Sequence, residues 1–312
     1  MALSVTGVDS NGRITTGTAT SVSAGRLVPP QSAGIGDLIY KSGTTYKVIA
    51  CGTAGSNSTI TIGGTSYTLW GCIYGFVAGM AMVVSINSGE KASLTWGTYP
   101  SNAPYWGAGT VLMRNNKKTD YYAQMNTAQQ MSSDSYRGTA GSNVHPTAAY
   151  SGGVMTESTF NSSTDAKKIY GTWKEYLRQT LRVNGAPGTP FGATADGVKV
   201  HEFGRWMTKN YLTNSSNNPA GAWCYNWSEG SGTWWLPSMF ELGELMIDEH
   251  WDKVNANSSV LSVSRGVDRW SSVLISSSAA WYYSDSGMSS NAGLSYSYSY
   301  LVARPVTLLS LV

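Results

Sequence analysis

Three cysteines, three histidines and a few carboxylates are the residues of this chain whose types could support covalent or metal chemistry, and their spacing argues against it. Cys51, Cys72 and Cys224 are too few and too irregularly spaced for a zinc site or a disulfide framework, and an odd count leaves at least one thiol unpaired. His145 and His201 have no carboxylate or cysteine at ligand spacing, so both read as structural or exposed. Asp248, Glu249 and His250 stand in a row, but adjacent positions at a helix end point in different directions and do not converge on one ion or substrate. No catalytic residue, metal or cofactor is expected.

The chemistry the chain does carry is non-covalent recognition. From Trp270 to Tyr300 the sequence holds twelve Ser and five Tyr, with Asp285 as its only charge. Tyr offers a large, rigid, amphipathic face at low entropic cost, and Ser or Asn adapts its hydrogen bonds to whatever lies opposite, as in antibody loops. The candidate ligand-binding residues are Ser276, Ser277, Tyr282, Tyr283, Asp285, Ser289, Ser290, Asn291, Tyr296, Tyr298 and Tyr300. The run Ser295 to Tyr300 alternates with strict period two, which in a strand puts its tyrosines on one face and its serines on the other. Three or four exposed tyrosines, at roughly 1.5 to 3 kcal/mol each on burial, only modestly exceed the cost of immobilising two partners. One site then binds weakly, and several copies on an oligomer bind tightly through avidity.

Composition agrees with a neutral recognition surface. Of 312 residues 12% are charged and 12% aromatic, with 12 Trp and 19 Tyr against 5 Phe, which marks a β- and loop-rich chain long enough for one large core or two smaller ones. The net charge of +3, with no basic cluster interleaved with aromatics, argues against nucleic acid as a partner. Cys72 to Ile86 is the longest mostly apolar run; it carries Gly75 and Gly79 and is too short for a bilayer span, so membrane insertion is not expected. The first ten residues lack the basic and apolar regions of a secretory signal, so release within a virus particle is the simplest expected route out of the cell.

The elements that must position the Ser/Tyr segment centre on Gly232 to Met246. Trp234 and Trp235 are expected in a buried strand that Pro237 stops, and Ser238 with Glu241 spells a capping box. Met239, Leu242, Leu245 and Met246 recur at helical spacing, so the helix is expected to pack under both tryptophans. Residues 1–36 read as an extended arm that attaches to a virion partner or neighbouring subunit, or as a disordered tail. Residues 37–71 read as a small all-β module of hairpins closed at Lys41-Ser-Gly43 and Gly63-Gly64. Residues 72–312 are taken as the binding domain, with strands at Ile73–Ile86 and Leu94–Trp96, a weak helix at Asp120–Met131, an insertion at about 132–220, and the recognition segment at about 270–300. The insertion carries an amphipathic helix from Asp165 to Val183 and a second from about Gly197 to Tyr211, with Val200, Phe203, Trp206 and Met207 inward. Tyr99, Tyr105 and Trp106 sit in a loop and are expected to be covered by a neighbour. Arg265, Asp268 and Arg269 read as a charged turn.

Trp235-Leu-Pro-Ser, Glu241-Leu, Trp270-Ser-Ser, Ala280-Trp281, Gly287 and Val302-Ala-Arg-Pro-Val306 follow one another in an order that resembles the C-type-lectin-fold domain of variable proteins diversified by retroelements. Met82 to Asn87 and Leu94-Thr-Trp-Gly97 extend the likeness upstream, so it covers about 70–130 and 220–306. Ala303 and the long insertion depart from the pattern. The resemblance implies an α+β chain: a C-type-lectin-like domain of small mixed sheets and two helices, with a helical insertion and the all-β module before it. It also implies diversification at adenines, with Ser, Tyr, Asn and Asp codons variable and a framework of Trp234, Trp235, Pro237, Trp270, Trp281, Gly287, Arg304 and Pro305 held constant.

On that likeness the chain is expected to be a non-enzymatic phage receptor-binding protein, a homotrimeric tail-fibre or tail-tip adhesin that binds a bacterial surface protein or glycan. The alternatives are a structural virion decoration or fibre protein, and a bacterial surface adhesin of the same fold. Formylglycine-generating enzymes share that fold, but Cys224 has no His or carboxylate placed to activate it. The Glu-Pro-Asn and Trp-Asn-Asp triplets of calcium lectins are absent, so binding is expected to be calcium-free.

Overall fold

The turn residues do locally what their types demand. Gly43 takes a positive φ of 58° between β4 (Leu38–Ser42) and β5 (Thr45–Ile49), and Gly63 and Gly64 do the same between β6 (Thr59–Ile62) and β7 (Thr65–Val77). β7 then turns back at Gly79 into β8 (Met80–Ser85). The structure, a computed structural model, describes residues 4–8, 14–18, 25–77, 79–100, 103, 161–170, 202–229, 232–246, 248–264, 266–274, 277–283, 289–297, 299 and 301–311.

These hairpins build a seven-stranded sheet. Its order is β14 (Val306–Leu309), β8, β7, β4, β5 and β3 (Leu27–Val28), with β6 paired to β7. A second, five-stranded sheet runs β12 (Ser289–Gly293), β11 (Ala279–Tyr283), β10 (Asp268–Leu274), β13 (Leu301–Ala303) and β9 (Lys91–Ala92). At the N-terminus β1 (Ser4–Val8) and β2 (Ile14–Thr18) pair as a separate antiparallel ribbon. Five α-helices are described: α1 (Thr164–Tyr170), α2 (Phe203–Tyr211), α3 (Pro219–Asn226), α4 (Met239–Met246) and α5 (Asp248–Asn255). The chain is therefore mixed α+β, dominated by sheet.

Strand alternation divides the core into two. Leu38, Tyr40, Cys72, Tyr74, Met82 and Val84 join the main core with the helices and the five-stranded sheet. Their neighbours Ile39, Ile73 and Val83 point to the other face of the seven-stranded sheet, with Val48, Trp70 and Trp234. Trp234 and Trp235 obey the same rule. Trp235 forms a two-way backbone bridge to Val306 and enters the main core, while Trp234 packs at a tilt against Trp70 at 4.5 Å and edge-on against Trp227 at 4.7 Å on the far side. The sequence leads to the expectation that helix α4 packs beneath both indoles; instead, because Trp234 points to the other face of the sheet, the helix shares a core with Trp235 alone. All eight of its residues are buried, so the anticipated one-sided stripe is a helix enclosed all round.

Several boundaries differ from expectation. Strand β7 runs unbroken through residues 71 and 72, so the 37–71 hairpins and the C-terminal strand β14 belong to one sheet rather than to a separate module. The end of the 1–36 arm is built in as well, since β3 pairs with β5. Leu94–Trp96 is not a strand; Trp96 is an anchor whose Nε1 donates to Ser271 O at 2.8 Å. Asp268 and Arg269 are buried strand residues of β10 and not a turn, and Arg265 lies outside the described residues. Within the insertion, α1 covers the start of the Asp165–Val183 helix, and α2 buries Phe203 and Met207, with Trp206 partly covered. Helix α3, which begins on Pro219, had no expectation from sequence. Tyr99 is partly buried and donates to Ala103 O at 2.7 Å. The expected helix at 120–131 and His145, Val200, His201, Tyr105 and Trp106 lie outside the described residues.

Candidate functional site: a Ser/Tyr surface on a buried frame

Strand β10 is the anchor of the recognition segment. Trp270 is fully buried and its Nε1 donates to Leu94 O at 2.9 Å. Ser271 Oγ donates to Trp281 O at 2.8 Å, and Ser272 N donates to Pro237 O at 2.7 Å, which ties β10 to β11 and to the start of α4. A row of seven consecutive buried residues leaves β10 no solvent face. The segment leaves this strand and comes back to its side, because β13 pairs parallel with β10 at Asp268↔Leu301 and Arg269↔Val302.

Between these ends the chain forms an antiparallel meander of β10, β11 and β12. In β11, Ala280, Trp281 and Tyr283 are buried and Tyr282 is half-buried, its ring edge-on to Trp270 at 6.2 Å. Tyr283, 1% exposed, is thereby a core residue and not a contact for a ligand; its burial follows from its place opposite Ser289 on a strand whose inward positions are filled by large rings. Ser290 stands opposite Tyr282, and Asn291 opposite Trp281. Beyond β12 the described residues of the alternating run are not strand. Leu294 is buried, Ser295 to Ser297 are exposed together, and Tyr296 N donates to Gly293 O at 3.0 Å to close a turn.

Among the described residues of the segment, Ser277, Ser278, Ser295, Tyr296, Ser297 and Ser299 are exposed. Tyr296, at 47%, is one of two large apolar side chains that stand out into solvent among the described residues. Leu294 N donates to Ser278 O at 3.1 Å, which fixes the Ser277–Ser278 turn beside the Ser295–Ser297 turn. Gly97 N donates to Leu294 O at 2.8 Å, and Gly97, at φ 125°, packs so tightly on Asn217 O that no Cβ fits there. Ser278, Ser295, Ser297 and Ser299 are exposed although they are not among the candidate ligand-binding residues; the composition of the segment is the signal that contains them. Ser276, Asp285, Tyr298, Tyr300 and the framework position Gly287 lie outside the described residues, and of Ser289, Ser290 and Asn291 only the backbone is described.

The frame beneath is held by ionic and capping contacts. Arg304 is buried, and its Nη1 donates to Glu90 Oε2 at 3.1 Å and Ser262 O at 2.8 Å, while Nη2 donates to Ser85 O at 2.7 Å. Glu90 Oε2 also accepts from Arg269 Nη2 at 3.3 Å, so one carboxylate serves two buried guanidinium groups. Burial lowers the pKa of both arginines, to about 10 for Arg269. Pro305 O accepts from Ser85 N at 3.0 Å, which places Arg304-Pro305 across the start of β14. At α4 the expected capping box is complete: Ser238 N donates to Glu241 Oε2 at 2.7 Å and Glu241 N to Ser238 Oγ at 3.3 Å. Trp235 Nε1 donates to the other carboxylate oxygen at 2.8 Å. Burial pushes the Glu241 carboxyl up to about 7, against hydrogen bonding by Ser238 and Trp235 that favours the ionised form.

No described group of three or more His, Cys, Asp or Glu residues is arranged to hold a metal ion. His250 Nδ1 lies 2.7 Å from Glu244 O, within its own helix pair. Burial raises the Cys224 thiol pKa well above its ordinary value, which disfavours a nucleophilic thiolate. No described helix is long and apolar enough to cross a membrane. A scan against family models finds no match, and searches of curated proteins and of solved structures find none either.

Proposed function

We propose that the chain is a non-enzymatic phage receptor-binding protein, a tail-fibre or tail-tip adhesin of C-type-lectin fold, which offers a diversified Ser/Tyr surface to a bacterial surface protein or glycan. The observation that carries this reading is the contrast between a buried frame of Trp270, Trp281 and Arg304 and the exposed Ser277, Ser278, Ser295, Tyr296 and Ser297 set upon it. Such an arrangement lets surface side chains change while the support stays fixed. The order of motifs from Trp235 to Val306 supports the fold and the diversification. Copies in a homotrimer raise a weak single-site affinity through avidity.

Binding of the purified protein to cells of a host strain tests this reading. Replacing Tyr296 by Ala should weaken cell binding roughly 5- to 30-fold, the loss of about 1–2 kcal/mol at one aromatic contact. The same change should move folding stability by less than about 0.5 kcal/mol, because the side chain is exposed. Equal binding by the wild type and Tyr296→Ala would remove this residue from the contact surface. Absence of cell binding by the wild type, with attachment to virion subunits instead, would favour the structural reading. Chelators are expected to leave cell binding unchanged; abolition of binding in chelator would overturn the calcium-free mode.

A further inference from the structure

One edge of the five-stranded sheet lies within the recognition segment itself. Among the described strands β12 is the outermost and pairs with β11 alone, over five residues from Ser289 to Gly293 without a shift in register. The opposite edge, β9, is two residues long and carries Lys91, the short and charged form that keeps an edge from pairing further. β12 has no charge, no proline and no bulge. The ladder also fixes where its backbone groups point. Leu294 N donates to Ser278 O at 3.1 Å, one step beyond Ala279↔Gly293, so Ser278 and Leu294 stand as a hydrogen-bonded pair. Such pairs alternate along an antiparallel ladder: Ala292 and Ser290 turn their N–H and C=O groups to β11, and Ser289, Asn291 and Gly293 turn theirs outward. Gly293 O accepts from Tyr296 N at 3.0 Å, and the Tyr296 ring lies against Gly293, with three ring atoms 3.3 to 3.6 Å from where a Cβ would stand. That exposed ring closes the end of the outward row.

We propose that β12 is a strand-addition site, where an extended segment of a surface protein pairs with the outer edge and lays an apolar side chain against Tyr296. This inference rests on the receptor-binding reading and narrows its ligand from protein or glycan to protein. A polypeptide presents donors and acceptors in the same alternation and spacing as the edge, so an added strand meets the outward groups of Ser289 and Asn291 in register. Main-chain bonds survive any change of side chain. A diversified β12 therefore keeps its affinity for an extended segment, while its side chains select which segment is taken.

The test measures binding of the full chain to whole cells of a host strain, left untreated, shaved with proteinase K, or oxidised with periodate. Shaving should abolish binding, and periodate should leave it within about twofold. Asn291→Pro removes an outward N–H and sets a ring where the partner strand would lie, while the bonds to β11 stay; it should bind at least about tenfold more weakly than Asn291→Ala, which keeps the N–H. Ser289→Pro against Ser289→Ala, at the first residue of the strand, is the second such pair, and the denaturation midpoint of each variant is read beside its binding. Binding that survives shaving, or is lost after periodate, overturns strand addition and leaves the receptor-binding reading standing. Equal binding by the proline and alanine variants overturns it as well. So does unfolding of both proline variants, which would mean that the N–H groups at 289 and 291 are used inside the fold. No binding to untreated cells overturns the receptor-binding reading and this inference with it.

Discussion

Replacing Arg304 by Met should destabilise the fold by about 3–5 kcal/mol, read as a lower denaturation midpoint at unchanged slope. The guanidinium is 1% exposed and reaches Glu90, Ser262 O and Ser85 O, with Asn87 Oδ1 at the margin at 3.5 Å. Methionine fills much of the volume but leaves two carbonyls without their donor, and each unsatisfied buried group costs about 1–3 kcal/mol. Arg304→Lys keeps the charge yet cannot fork to these acceptors, so a smaller loss is expected. Glu90→Gln tests the same node from the other side, since Arg269 and Arg304 then lose the carboxylate they share. An Arg304→Met cost below about 1 kcal/mol would mean that the arginine is placed there for reasons other than stability.

Raising the pH from about 4.5 to about 7 should weaken the fold through Glu241. Its folded pKa of about 7 lies above the model-compound 4.5, so within that window the native state holds a proton that the unfolded state has released. Native protons exceed unfolded ones, and stability therefore falls with rising pH; the contribution is complete below the unfolded value and gone above the folded one. The span amounts to about 3 kcal/mol. Glu241→Gln should flatten this slope. The amide keeps one acceptor for Trp235 Nε1 or for Ser238 N but not both, so the variant should also lose about 1–2 kcal/mol at acid pH. Chemical denaturation of the two proteins across that pH range measures both effects; parallel curves would place the titrating proton elsewhere.

These two nodes mark the range of what the sequence revealed. The capping box was legible because its partners lie three residues apart, and the hairpins because glycine pairs announce their turns. Glu90 stands 179 residues from Arg269 and 214 from Arg304, a separation over which no local pattern connects them. The charge run before Trp270 accordingly read as a turn, although neutralisation at a distance lets it enter a strand. Composition singled out the Ser/Tyr segment, but it could not say that Tyr283 turns inward while Tyr296 stands out, because that choice depends on the neighbouring strand and not on the residue. The start of the period-two run differs for a related reason: the Tyr296 N–H is taken by Gly293 O in a turn, a local bond that alternation does not announce.

The parallel pairing of β13 with β10 has a consequence for how such a surface can change over time. The backbone leaves at one rung of a ladder and returns at the neighbouring rung, with Asp268 beside Leu301 and Arg269 beside Val302. Loop closure is then already provided by the sheet, and a doubling of the intervening length costs only about 0.6 kcal/mol. Insertions, deletions and replacements in the turns that leave Trp270, Trp281 and Tyr283 in their buried places keep the hinge points where they are, so variation in length as well as in residue type is open to this molecule.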